Sequence, residues 1–339
     1  MKNRFLNFAF VLVAVLALLQ INTVAQTRAR NTTPAAGLMN SLPKSDAVAQ
    51  VKMKRLFDEA MPRILASNPA KLAQVNASVE NFKTRTGLDP RMFDEVAVGV
   101  SFTFPGEGTA KAHTVALAKG AYNSNAMITA GGLAAQGKYR TEKYKDKTIY
   151  IFTLDETISV LGVFDFQIKE LAVLPLDTNT LALGDPVSIR SVVDASRASK
   201  RANAELIALA SRDPNAVIGF GANMSQQLVS SVDAIGNSPI ANEIARLRNV
   251  YGSVATTEKD LELFIGARAI DAAAASSLGE TLRGLKEIGS MFVGRISGAK
   301  GILAKSALTN LKIVNNADEL QIRTAVPSAD VGPLMGTGK

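Results

Sequence analysis

Apolar residues recur along this chain with two periods, and the switch between them marks out its elements. After Pro69, the residues Leu72, Val75, Val79 and Phe82 fall at helical spacing until Gly87. That spacing predicts a one-faced amphipathic helix closed by a glycine. After Pro186, Ile189, Val192 and Val193 repeat the pattern. The longest stretch opens at Asp271, where Leu278, Leu282, Leu285, Ile288, Phe292 and Ile296 form an apolar stripe interrupted by Gly279, Gly284 and Gly289. Three helix starts share one device: Asn68-Pro69, Asp185-Pro186 and Ser238-Pro239 each set a capping side chain before a proline at the first helical position. Asp271 caps the fourth.

Between these stretches lie short runs rich in Val, Ile, Leu, Phe and Tyr, bounded by turn residues, which read as strands. They are Ala47 to Ala49, Glu95 to Phe104, Thr114 to Ala121, Thr148 to Leu154, Leu171 to Leu176 and Thr180 to Leu183. Ala216 to Gly221, Val250 to Thr256, Leu261 to Ala269, Leu311 to Val314 and Leu320 to Val326 follow. The turns at Pro105 to Gly108, Lys145 to Lys147, Asp177 to Asn179, Glu258-Lys259 and Asn315-Asn316 suit hairpins, so neighbouring strands should pair antiparallel. A weak duplication accompanies the order: a hairpin ending at Ala121-Tyr122 enters a helix capped by Asn123, and one ending at Ala269-Ile270 enters the helix capped by Asp271. The expected fold is α+β, a duplicated strand-helix-helix-hairpin-helix-hairpin unit with antiparallel sheet covered by helices.

The ends of the chain read differently. Lys2 and Arg4 precede the apolar stretch Phe5 to Leu19, and Thr23-Val24-Ala25 is a small-residue cleavage site, the pattern of a secretory signal peptide over residues 1–25. The apolar stretch is shorter than the roughly 20 residues of a spanning helix. Residues 26–44 lack an apolar period and read as a flexible leader, as do residues 328–339 as a tail. The first half-repeat is placed at 45–160 and the second at 161–327. No low-complexity linker lies between them, so they are expected to share a sheet or a broad interface.

The segment Thr86-Gly87-Leu88-Asp89-Pro90, followed by Asp94-Glu95-Val96-Ala97-Val98-Gly99, and the step Thr180-Leu181-Ala182-Leu183-Gly184-Asp185 resemble a set of uncharacterised secreted bacterial proteins built of domains of unknown function. The resemblance implies export and fold and carries no activity.

Composition narrows the chemistry. No Cys and a single His exclude zinc fingers, iron–sulfur clusters, Cys nucleophiles and two-His metal sites, and set His-based triads aside as well. A bacterial lipoprotein anchor, which needs a Cys, is excluded too. The formal charge of +8 drops by two when Lys2 and Arg4 leave with the signal peptide, too small an excess to imply nucleic acid. No catalytic residue, metal or cofactor is assigned.

Individual motifs mostly have structural explanations. Ala299 to Ser306 lacks both glycines of a phosphate loop, and Gly219-Phe220-Gly221 reads as a strand-ending turn. Ser297-Gly298-Ala299-Lys300 has Ser-x-x-Lys spacing, but Gly294, Gly298 and Gly301 suggest a break between helices. The pairs Asp58-Glu59, Asp94-Glu95, Asp155-Glu156 and Asp318-Glu319 read as solvated faces and caps, since adjacent side chains do not flank one bond. His113 reads as a surface residue. The basic hairpin Lys138, Arg140, Lys143, Lys145 and Lys147, interleaved with Tyr139 and Tyr144, is the candidate contact for an anionic surface. Its alternative is a charged edge that resists pairing with other chains. The expected role is an exported non-catalytic protein that binds a partner or small apolar ligand or serves an envelope-structural role. The alternatives are a peripheral membrane or wall protein and a hydrolase of carboxylate or Ser/Lys chemistry. Partners would be an envelope protein, anionic lipid or wall polymer.

Overall fold

The computed structural model describes residues 37–87, 89–106, 109–160, 164–197, 202–231 and 241–333. Its strands are β1 (Ala47–Lys52), β2 (Phe93–Gly106), β3 (Thr109–Gly120), β4 (Tyr139–Tyr144), β5 (Lys147–Val160) and β6 (Phe164–Asp177), then β7 (Thr180–Gly184), β8 (Ile218–Asn223), β9 (Leu247–Thr256), β10 (Asp260–Ala269), β11 (Lys312–Asn316) and β12 (Glu319–Pro327). The main helices are α1 (Pro69–Thr86), α2 (Ser124–Ala134), α3 (Pro186–Arg197), α4 (Ala204–Ala210), α5 (Ala272–Phe292) and α6 (Gly298–Thr309). The strands make one sheet in the order β11-β12-β10-β9-β8-β1-β2-β3-β7-β6-β5-β4. Every pairing in it is antiparallel. The fold is therefore α+β.

Strand alternation sends apolar residues to both faces, and helices cover both. On one face Val48, Ala97, Leu117, Ile151, Leu174 and Ala182 meet Ile189, Val192 and Leu206 of α3 and α4. On the other, Ala118, Phe152, Val173 and Leu181 meet Met127 and Ile128 of α2. At the far end of that second face, Ala267, Ala269 and Leu320 pack on Ala274, Ala275 and Leu278 of α5, while Leu261 and Val326 pack on Ala307 of α6.

The helix starts use the expected caps. Asn68 accepts from the Lys71 amide at 3.1 Å, Asp271 from that of Ala274 at 2.7 Å, and Asp185 from those of Val187 and Ser188 at 3.0 Å each. The Ser238-Pro239 start lies outside the described residues. Helix α1 ends on Gly87 in the left-handed conformation.

Several sequence expectations are corrected. Gly219-Phe220-Gly221 is no strand-ending turn but the interior of β8. A Cβ on Gly219 would overlap the Ala210 carbonyl oxygen, so the glycine lets α4 lie directly on the strand. The turn set at Asn315-Asn316 falls instead at Ala317-Asp318, with Ala317 at φ +53°. Asn315 stays in β11 because its amide donates to the Ala275 carbonyl at 2.6 Å and fastens the strand to α5. The junction of the proposed halves is spanned by β5 and β6, which pair from Val160 and Phe164 back to Tyr150 and Val173. Both margins carry ordered chain: Leu38–Ser41 forms a 3-10 turn beside buried Met39 and Leu42, and Ser328–Val331 is a helical turn with Val331 buried.

Candidate functional site

Three places in the fold gather side chains with chemical potential. The first lies where α4 and the β11–β12 turn approach each other on the sheet. Glu205, Arg212, Arg248, Arg268 and the segment Asn316 to Glu319 line an open cleft of about 410 Å³. Beneath the Arg212 side chain lies Tyr251, fully buried, with room made by Gly266, where any Cβ would run into the tyrosine ring. Glu319 accepts from Arg212 at 3.0 and 3.1 Å and from Arg268 at 3.4 Å, while Arg268 also reaches Glu205 at 3.0 Å. Arg248 pairs with Asp318. The Arg212 guanidinium stacks 5.2 Å from the Tyr251 ring centre and hydrogen-bonds its hydroxyl.

Burial alone would raise the Glu319 carboxyl, but hydrogen bonds from Arg212, Gln321 and Tyr251 outweigh it and hold the group at about 2. Burial first, and the neighbouring Glu319 carboxylate second, push the Tyr251 phenol above the ordinary tyrosine range. Three arginines therefore face three carboxylates and neutralise one another. The cleft is a clamp that joins α4 to the sheet, with no surplus charge to hold an ion. The sequence reading missed Glu319 by grouping it with solvated carboxylates, whereas it is 9% exposed.

The second place corrects the exclusion of His-based relays, since one histidine is enough for such a row. His113 is no surface residue: its side chain is 12% exposed, with Nδ1 3.5 Å from Asp185 Oδ1 and Nε2 3.3 Å from Thr103 Oγ1. Hydroxyl, imidazole and carboxylate thus stand in the order that activates a nucleophile. The carboxylate, however, is committed to caps. Asp185 also accepts from the Ser188 hydroxyl at 2.6 Å and the Thr114 amide at 3.1 Å, in addition to the two α3 amides. The row fastens β2 and β3 to the start of α3.

The third place is the hairpin of α5 and α6. Only the first half of α5 is buried, through Ala274, Ala275, Leu278 and Gly279. Beyond it the apolar stripe continues into solvent: Leu285, Ile288, Met291, Phe292, Ile296 and Ile302 are 45 to 71% exposed. They are half of the twelve exposed large apolar residues among the described ones, gathered within residues 285–302. Helix α6 steadies this tip through Leu308, which lies at 3.4 Å from where a Cβ on Gly289 would stand, and Leu311, two residues past the helix end, accepts from Lys286 at 2.9 Å through its carbonyl. The Arg295 guanidinium covers the Phe292 ring at 5.1 Å.

The basic hairpin singled out from the sequence forms β4 and the start of β5, at the opposite edge of the sheet. Lys138, Arg140, Lys143 and Lys145 are exposed and Lys147 is half-buried. Arg140 pairs with Glu170 at 3.1 Å and Lys145 with Asp194, so two of the five charges are met within the protein. Tyr139 turns to the other face, 5.3 Å from the ring of Phe152. Ser297 and Lys300 straddle the start of α6, and Ala299 to Ser306 is continuous helix rather than a phosphate loop. The Asp155-Glu156 side chains lie outside the described residues. Among the described residues no three His, Asp or Glu side chains gather to hold a metal ion, and no helix is long and apolar enough to cross a membrane.

No family model matches this chain, and no curated protein matches it. Solved structures do. Crystal form III of TP0453 is 8% identical at a TM-score of 0.45, covering 89% of this chain and 98% of that one. Crystal form I of TP0453 is 9% identical at 0.44, covering 90% and 98%.

Proposed function

We propose that this is an exported, non-catalytic protein that works at a membrane surface of the cell envelope, docking through the tip of the α5–α6 hairpin. The observation that carries this reading is the set of six exposed apolar side chains between Leu285 and Ile302. Scattered apolar residues on a surface need no explanation, but six gathered on one helical hairpin mark an interaction site. A helical hairpin with an apolar tip on a polar base enters the boundary of a bilayer without spanning it. Full burial of one such side chain is worth roughly 1.5–3 kcal/mol, so returning the open halves of six to lipid supplies on the order of 6 kcal/mol. The signal-peptide pattern over residues 1–25 supports placing the protein in the envelope.

The scaffold behind the tip reads as a duplicated unit. β1-β2-β3 and β8-β9-β10 run outward in opposite directions from the central β1–β8 pair, and each is flanked by the second strand of a later hairpin, β7 beside β3 and β12 beside β10. This supports a duplication, with its second copy begun near β8 and not at residue 161.

The test uses a single fluorophore, because the chain has no Trp. Met291→Trp, at a site 71% exposed, should shift its emission to the blue when phospholipid vesicles are added and should co-float with them. A Trp that stays solvent-like at saturating lipid, with the protein left at the bottom of the gradient, overturns the reading.

A further inference from the structure

Resting on that membrane reading, we infer that the α5–α6 tip selects anionic phospholipid, and that Arg283, Arg295, Lys300 and Lys305 hold its headgroups around the inserted apolar side chains. The argument is one of charge placement. From Arg283 to Lys305 the chain carries five basic residues, Arg283, Lys286, Arg295, Lys300 and Lys305, against one acidic residue, Glu287. Elsewhere Arg91, Arg190, Arg212, Arg248 and Arg268 each meet a carboxylate, and on the β4–β5 hairpin, where Lys138, Lys143 and Lys147 have no ion pair with a described residue, no comparable set of exposed apolar side chains stands beside them. None of the five at the tip is in an ion pair with a described residue. Lys286 donates to the Leu311 carbonyl and Arg283 to Asn315 at 2.6 Å. Both bonds leave the positive charge uncompensated.

Position supports the same conclusion. Arg283, Arg295, Lys300 and Lys305 are exposed, and they alternate along the chain with the exposed apolar residues Leu285, Ile288, Met291, Phe292, Ile296 and Ile302. Long basic side chains beside an apolar patch let their stems follow hydrocarbon while their heads stay at headgroup level. Arg295 is held over Phe292, so the ring can enter the boundary with its cation already at the polar rim. A protein partner or a second copy of this chain would have to bury these cations against carboxylates of its own. An anionic bilayer meets all of them with mobile phosphates.

The experiment is flotation of the mature chain with phosphatidylcholine vesicles, with and without phosphatidylglycerol, over a salt series. A basic residue near an anionic surface contributes about fivefold in binding, so Arg295→Gln with Lys300→Gln and Lys305→Gln should weaken binding to the anionic vesicles on the order of a hundredfold. Rising salt should weaken the native chain in the same direction, and binding to phosphatidylcholine alone should be unchanged by the triple variant. Equal binding of the native chain to both vesicles, indifferent to salt, would overturn the lipid selectivity while leaving the membrane reading intact. Failure of the native chain to float with either vesicle would overturn both. A lipid-free dimer by sedimentation that dissociates on Met291→Glu would assign the tip to a second copy instead.

Discussion

Replacing Glu319 by glutamine removes one charge from the clamp over Tyr251 and keeps the side chain's shape, so it isolates what the carboxylate contributes. Its pKa is held at about 2 in the folded chain against an ordinary 4.5. The difference, at 1.36 kcal/mol per unit, corresponds to about 3 kcal/mol of stability. The side chain is only 12% exposed, so solvent screening removes little of this. The folded value lies below the unfolded one. The contribution is therefore complete above pH 5 and is lost as pH falls from the unfolded value towards the folded one. At pH 7 Glu319→Gln should unfold in urea about 3 kcal/mol more easily than the native chain, and at pH 3 the gap should shrink to about 1 kcal/mol. A gap that is the same at both pH values would refute the reasoning, because the loss would then come from packing and not from the charge. So would a gap below about 1 kcal/mol at pH 7, which is the value of an exposed ion pair.

Two further substitutions separate docking from folding. Met291→Glu with Phe292→Glu changes side chains already in water, so urea unfolding should move by no more than about 0.5 kcal/mol while vesicle flotation is abolished; a large loss of stability would place the tip in the core. Gly219→Val should cost about 1–3 kcal/mol or more by forcing α4 off β8, and a neutral result in thermal unfolding would show that the contact with the Ala210 carbonyl yields freely.

How much of this was legible beforehand depended on whether the signal was local. The caps at Asn68, Asp185 and Asp271 and the glycine stop at Gly87 are written within a few residues, and all were readable. So were eleven of the twelve described strands, because apolar runs between turn residues have few other solutions; β4, Tyr139–Tyr144, is polar and was read only as the edge of a charged hairpin. Strand order was out of reach: nothing in Ala47 to Ala49 announces that β1 sits at the sheet centre between β2 and β8. Glycine misled at Gly219, because a glycine that ends a strand and one that admits a helix look alike in sequence. The apolar stripe of α5 was visible, but its period says only that one face is apolar, not whether protein covers it. The basic hairpin drew attention because its charges are consecutive, whereas the cations of the tip are spread over more than twenty residues. Glu319 gave no signal at all, since its arginine partners come from the turn after α4 and from β10.

The sheet also fixes how the chain should come apart. One apolar cluster runs from Met39 and Leu42 through Leu117 and Ile151 to Tyr251 and Phe264, and so draws on both proposed halves. β1 pairs with β2 on one side and β8 on the other, which leaves no seam where the ladder is unpaired. Leu117 is fully buried in β3. Leu117→Ala removes its packing and leaves a cavity, at a cost of about 2–5 kcal/mol. If the sheet unfolds as one unit, that cost is felt at every strand whose exchange requires global opening. Native-state hydrogen exchange should then show β9 and β10 losing the same protection free energy as β2 and β3, although neither pairs with β3. Should β9 and β10 keep their full protection while β2 and β3 lose theirs, the β1–β8 pair is a boundary between two independently folding units, and the continuity of the ladder carries no cooperativity across it.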